Sequence, residues 1–177
     1  MMLNFKEELI KVKAFVFDVD GVLSKDTSPL NSDGNPVRTA NVKDGFAIRL
    51  AIASGYHVAV ITGGFVERVR LRHEYLGVKY YYEKAGDKVQ CLQDFCKKTG
   101  IHTREVLFMG DDLVDYPVML EAGIPTCPKD AATDIKKIAA YISPKNGGEG
   151  CVRDVIEQTL KAQGKWTMEE MLINNAF

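Results

Sequence analysis

The segment Phe15-Val16-Phe17-Asp18-Val19-Asp20-Gly21-Val22 constrains this chain's fold more than any other. A short run of bulky apolar residues reads as a strand buried on both faces, and it ends in two carboxylates one residue apart, followed by glycine. Side chains alternate along an extended chain, so Asp18 and Asp20 fall on one side at the strand's carboxyl end, where open α/β sheets place their sites. Two like charges so close need a cation or a shared proton.

The same grammar recurs downstream. Val106-Leu107-Phe108-Met109 is a second apolar run, and Gly110-Asp111-Asp112-Leu113-Val114-Asp115 follows it directly. Further short β-rich runs occur at 57–61, 78–82 and 124–127, with a weaker one at Tyr141-Ile142, and the first strand spans 14–17. Amphipathic stretches of helical length lie between them, at 44–54, 65–76, 88–99, 116–122 and 150–163. Gly55, Gly77, Gly100 and Gly123 sit just past four of these stretches, where a left-handed residue commonly ends a helix. The expectation is a single α/β domain over residues 1–177, a doubly wound, Rossmann-like parallel sheet of about six strands with helices on both faces. At 177 residues such a domain buries a large core without disulfide or metal staples.

Residues 24–40 break the βα rhythm. The segment is polar, contains Pro29, Asp33-Gly34 and Pro36, and reads as a β-hairpin inserted after the first strand, turning at Asp33-Gly34. The tail, 164–177, carries the single tryptophan and is too apolar for a solvated end, so it is expected to dock, on this chain or on a neighbouring copy.

Composition narrows the function classes. With 23 basic against 24 acidic side chains the net charge is −1, which excludes a nucleic-acid footprint spread over the surface. Cys91, Cys96, Cys127 and Cys151 form no CxxC pair, which suggests free thiols in a reducing compartment. No apolar stretch near the amino terminus has the length of a signal or a membrane span, so a cytoplasmic protein without membrane attachment is expected.

The chemistry that fits two acid-tipped strands is phosphoryl transfer. A carboxylate can attack phosphorus if the phosphoryl charge is neutralised and a second acid protonates the leaving oxygen, which suits Asp18 and Asp20. Magnesium prefers oxygen ligands and bridges carboxylates to phosphate, and Asp111 is the expected third ligand beside Asp18 and Asp20. Thr62-Gly63-Gly64, after a third strand, offers a hydroxyl and backbone amides at a helix start, and Lys88 offers one positive charge. Each fragment alone has a plain structural explanation, since threonine is a common helix cap and a lone lysine is usually solvated.

In their order, Asp-x-Asp, Thr-Gly, Lys and Gly-Asp-Asp-x-x-Asp, these pieces resemble the haloacid dehalogenase-like phosphatases. The resemblance implies that Asp18 is nucleophile and magnesium ligand, and that Asp20 is general acid/base and binds metal through its carbonyl. Thr62 and Lys88 would hold the phosphoryl group, and Asp112 and Asp115 would support the metal indirectly and position the lysine. The small insertion resembles the capless subclass. There, Asn41-Val42-Lys43-Asp44-Gly45, Arg49, Arg72 and Gly147-Gly148-Glu149-Gly150-Cys151-Val152-Arg153-Asp154 resemble the 3-deoxy-D-manno-octulosonate 8-phosphate phosphatases, over residues 12–165.

That likeness implies a phosphorylated sugar acid as substrate, contacted by Asp20, Asn41, Val42, Lys43, Asp44, Gly45, Arg49, Gly63, Arg72 and Lys88. It also implies lipopolysaccharide synthesis as the setting and a homotetramer with central hairpins and a glycine-rich C-terminal segment over a neighbour's site. The family commonly has Thr-Gly-Arg where this chain has Thr62-Gly63-Gly64, so one cation is missing. That departure keeps a nine-carbon sugar acid 9-phosphate open as alternative substrate, and a non-catalytic tetramerisation module is the reading from another class.

Overall fold

The computed structural model describes residues 4–173. Six strands form one parallel sheet: β1 (Ala14–Phe17), β2 (His57–Ile61), β3 (Tyr80–Tyr82), β4 (Val106–Met109), β5 (Ile124–Cys127) and β6 (Tyr141–Ile142), in the order β3-β2-β1-β4-β5-β6. The helices are α1 (Phe5–Glu8), α2 (Val42–Ala53), α3 (Glu67–Tyr75), α4 (Lys88–Thr99), α5 (Tyr116–Glu121), α6 (Thr133–Ile138), α7 (Cys151–Ala162) and α8 (Met168–Ile173). Strand order runs outward from β1 in both directions, so the crevice between β1 and β4 is the point where open α/β sheets bind ligands.

Alternation along the strands divides the core in two. Phe15, Phe17, Val58, Val60, Leu107 and Met109 face α2 and α7, meeting Ile48, Leu50, Val155 and Ile156. Ala14, Val16, Ala59, Ile61, Val106 and Phe108 face the other way, onto Leu92 and Phe95 of α4, Met119 of α5 and Ile135 of α6. Because both faces are covered, every position of β1 and β4 is buried, and the strands read as continuous apolar runs rather than alternating ones.

Local chemistry places the helix ends. Asn41 caps α2 by accepting from the backbone N–H groups of Lys43 and Asp44 at 2.9 and 3.2 Å, which starts the helix at Val42, ahead of the expected Asp44. Asp87 caps α4 in the same way, and Gly100, at φ 72°, ends it. α3 begins at Glu67, because Val66 is extended at φ −143° and Gly63-Gly64-Phe65 runs as a loop. The amides after Thr62 therefore belong to a loop and not to a helix start. Gly123 also differs from expectation. It is not left-handed, and it is glycine because a Cβ there would stand 2.2 Å from the Arg104 carbonyl oxygen.

The insertion is a hairpin reduced to one antiparallel bridge, Leu30 to Pro36. Asn31 organises its turn: its side-chain oxygen accepts from the N–H groups of Asp33 and Asn35, and its carbonyl accepts from Gly34. Pro29 and Pro36 lack backbone donors, which limits the ladder. The C-terminal segment docks on its own chain up to Met171. The Trp166 ring packs on the α2/α7 core and lies 4.5 Å from the Arg153 guanidinium, and Met171 is buried. All four cysteines are free thiols. Among the described residues, no helix is long and apolar enough to cross a membrane.

The close approach at Gly123 generates a stability prediction. Gly123→Ala is expected to lose about 2 kcal/mol, since the obstacle is backbone and cannot turn aside. Gly34→Ala, left-handed but with open space around it, is expected to lose about 1 kcal/mol. Urea unfolding of the two variants side by side measures the difference.

Candidate active site

The carboxyl ends of β1, β2 and β4 and the first turn of α4 surround a cavity of about 480 Å³ lined by Asp18, Asp20, Thr62, Gly63, Gly64, Lys88, Asp111 and Asp112, among others. At its floor the Lys88 ammonium stands 2.9 Å from Asp18 Oδ2 and 2.6 Å from Asp115 Oδ1, with all three side chains buried. The Asp18 Oδ1 accepts from the Val19 N–H at 2.6 Å, and the second Asp115 oxygen accepts from the N–H groups of Asp111 at 3.0 Å and Asp112 at 3.4 Å. Asp115 thus ties the lysine to the loop that carries Asp111.

Carboxylate oxygens of Asp18, Asp111 and Asp115 lie within 4.8 Å of one another. Burial, reinforced by the Asp115 charge, pushes the Asp18 carboxyl up to about 7 despite Lys88. Burial again, followed by the charges of Asp115 and Asp18, pushes Asp111 up to about 8. Burial disfavours the Lys88 charge, but Asp18 and Asp115 outweigh it and hold its pKa above the ordinary value. One ammonium is too little charge for three acids, and an all-oxygen cluster with surplus negative charge fits a hard divalent cation. Asp18 and Asp111 line the cavity, whereas Asp115 is fully buried behind them, which leaves Asp18 and Asp111 as the side chains that could share such a cation. The Asp20 carboxylate is outside this cluster.

Gly21 permits this closeness. At φ 78° it carries no Cβ, and one built there would stand 1.9 Å from Asp111 Oδ2. From the other side Gly147 packs onto the Gly21 carbonyl, and the Gly148 N–H donates to the Val22 carbonyl at 2.7 Å. The glycine-rich segment 147–150 thus buttresses the Asp-x-Asp-Gly loop of its own chain.

Thr62 is buried, and its hydroxyl accepts from the Gly64 N–H at 3.2 Å. Asp112 is exposed and caps the following turn through the Leu113 N–H at 2.8 Å. A second cavity of about 220 Å³ adjoins the first and contains Arg38, Asn41, Asp44, Gly45, Arg68, Arg72 and His73 in its lining. The Arg72 guanidinium lies over Gly45, 2.9 Å from where a Cβ would be. Asp44 accepts from the Arg153 N–H at 2.7 Å, while its other oxygen and His73 Nδ1 are buried without partners. Burial pushes Asp44 up to about 6 and His73 down to about 4.

Helical phase separates the expected sugar contacts. Asn41, Asp44, Gly45 and Ile48 share the face of α2 that lines the second cavity. Val42, Lys43 and Arg49 point outward from α2 and are exposed, away from that cavity, so the structure does not bring them to the site. The residue that sequence reasoning missed is Arg38, whose Nε and Nη2 donate to the two oxygens of Asp20 at 2.9 and 3.0 Å. Its one signal was being the sole basic residue between Lys25 and Lys43.

Residues 80–156 match the haloacid dehalogenase-like hydrolase family. The chain is 36% identical over 154 residues to the 3-deoxy-D-manno-octulosonate 8-phosphate phosphatase of Escherichia coli K12, covering 87% of this chain and 82% of that one. It belongs to the 3-deoxy-D-manno-octulosonate 8-phosphate phosphatase family. Solved structures of family members agree. The Yersinia pestis phosphatase superposes with a TM-score of 0.87 at 31% identity, covering 92% of this chain and 88% of that one. The Moraxella catarrhalis phosphatase, solved with magnesium, phosphate and KDO, superposes at 0.86 with 33% identity, covering 92% and 93%. In this chain the two acid-tipped strands, β1 and β4, lie side by side in the sheet.

The raised carboxyl values make metal-free stability depend on pH. In the fold Asp18 and Asp111 hold protons above their ordinary value of 3.8, a contribution full below about pH 4 and lost as pH rises through about 7 and 8. Asp44 acts likewise through about 6, while His73, neutral in the fold, opposes the trend between about 4 and 6.5. The melting temperature of the metal-free protein is expected to fall from pH 6.5 to 8.5, by less when a divalent cation is added. Calorimetric scans across that range check both.

Proposed function

We propose that this chain is a magnesium-dependent phosphatase that hydrolyses 3-deoxy-D-manno-octulosonate 8-phosphate to the free sugar acid and phosphate. The supporting observation is the Lys88 ammonium held between Asp18 and Asp115 in the same cavity as Asp111 and Thr62. Family membership supplies the substrate, and lipopolysaccharide synthesis in the cytoplasm is the setting. A homotetramer is the proposed assembly.

Bound magnesium, held by Asp18 and Asp111 with the Asp20 carbonyl, supplies neutralising charge for a phosphoryl group. Lys88 and the Thr62 hydroxyl orient the phosphoryl oxygens toward Asp18. Asp18 attacks phosphorus, the bond to the sugar oxygen breaks, and Asp20 passes its proton to the departing alkoxide. Asp20 then accepts a proton from the water that hydrolyses the aspartyl-phosphate. Asp115 touches no substrate in this scheme and positions Lys88. The adjoining cavity, with its arginines and Asp44, takes the sugar acid.

Gly64 keeps the nine-carbon ester as a second reading, because the loop after Thr62 lacks the usual arginine. The deciding test is magnesium-dependent phosphate release from the eight-carbon and nine-carbon sugar acid phosphates beside glucose 6-phosphate. The highest kcat/KM is expected for the eight-carbon ester, and preference for the nine-carbon ester would transfer the assignment. Asp18→Asn is expected to lower kcat by about three orders of magnitude or more, and near-full turnover by that variant would overturn the mechanism. Chelation of the cation is expected to abolish release.

A further inference from the structure

Arg38 is the one cation in the described residues that lines the sugar-acid cavity and also grips the Asp20 side chain of the reaction cavity. Its side chain is 14% exposed, although Asp20 is 47% exposed, so the guanidinium is the better enclosed partner of the pair. Its place is set from outside the α/β frame, by the return limb of the hairpin, where Nη1 donates to the Pro36 carbonyl at 3.2 Å. Asp20 and Pro36 engage three of the five guanidinium N–H groups, and two remain. A carboxylate that neutralises one edge of a guanidinium leaves the other edge able to take a second anion.

Gly64 is the counterpart of this arrangement. A Cβ at Gly64 would stand 3.2 Å from Arg38 Nη2 and 3.6 Å from Asp20 Oδ2, so any longer side chain would contest the space that the guanidinium fills. The small cleft between them is lined by Arg38, Thr62, Gly64 and Tyr81, among others, which puts the guanidinium next to the loop that is to hold the phosphoryl group.

We infer that Arg38 is a specificity-determining residue, whose free edge binds the carboxylate of the substrate while its other edge holds Asp20 until Asp20 takes up the proton it passes to the leaving oxygen, and that Gly64 is glycine to admit it. The inference rests on the proposed function and deepens it. The hairpin, rather than the loop after β2, supplies the cation that selects an acidic sugar phosphate over a neutral one. Arg68 and Arg72, in the same cavity, flank the bound acid without reaching Asp20.

The test is the ratio of kcat/KM for 3-deoxy-D-manno-octulosonate 8-phosphate to that for glucose 6-phosphate, because a ratio within one preparation is unaffected by how much of a variant has folded. Arg38→Ala is expected to reduce this ratio about tenfold or more, through a raised KM for the acidic ester. Gly64→Arg is expected to impair the wild type more than it impairs Arg38→Ala, since the two side chains contest one space. A wild-type ratio near one would overturn the proposed function and this inference together. A high wild-type ratio that Arg38→Ala leaves intact would overturn this inference alone, as would equal losses on both esters, which would reduce Arg38 to an anchor for Asp20. Strictly additive effects of the two substitutions would overturn the shared-space role of Gly64.

Discussion

The site depends on one buried ammonium. Lys88 sits between Asp18 and Asp115, and each of the three would be costly to bury alone. Their mutual contacts link three separate parts of the chain: the end of β1, the first turn of α4 and the loop after β4. Because Asp115 also accepts from the backbone of Asp111 and Asp112, the lysine's position and the placement of the third acid are one arrangement. The residual negative charge is what fits the cluster to a hard divalent cation.

That arrangement is available because β1 lies at the centre of the sheet with β4 beside it. Strand order runs outward from this pair in both directions, so the loops after β1 and β4 separate and leave a crevice between them. Gly21 lets the Asp111 carboxylate approach where any side chain would collide, and Gly147 supports the same loop from behind. The two hydrophobic faces hold the strands in the register that aligns Phe17 with Met109, one residue before each acid-bearing segment.

The hairpin and α2 complete a division of labour. The reaction cavity holds acids and one ammonium, whereas the adjoining cavity holds three arginines, Arg38, Arg68 and Arg72, with Asp44 and His73 enclosed beside them. A phosphate ester that is also a sugar acid presents an anion to each. Arg38 joins the two regions, which brings an insertion of modest length into contact with the Asp-x-Asp loop.

Much of this was legible in the chain itself. The apolar runs marked the six strands, most sharply β1, β4 and β5, because a strand buried on both faces has little freedom in composition. Asp18, Thr62, Lys88 and Asp111 were legible because each lies next to such a strand or at a capped helix start. What local pattern could not carry was partnership. Arg38 meets Asp20 across 18 positions and Lys88 meets Asp115 across 27, distances over which sequence has no periodicity to read. The outward orientation of Val42, Lys43 and Arg49 depends on the phase that the Asn41 cap sets for α2, and Gly123 is explained by a contact with Arg104 rather than by its own dihedrals. Composition and order by themselves determined the sheet, the acids at its edge and the family. Only the tertiary structure decided which charges meet, because pairing follows from how helices and loops pack over the sheet and not from spacing along the chain.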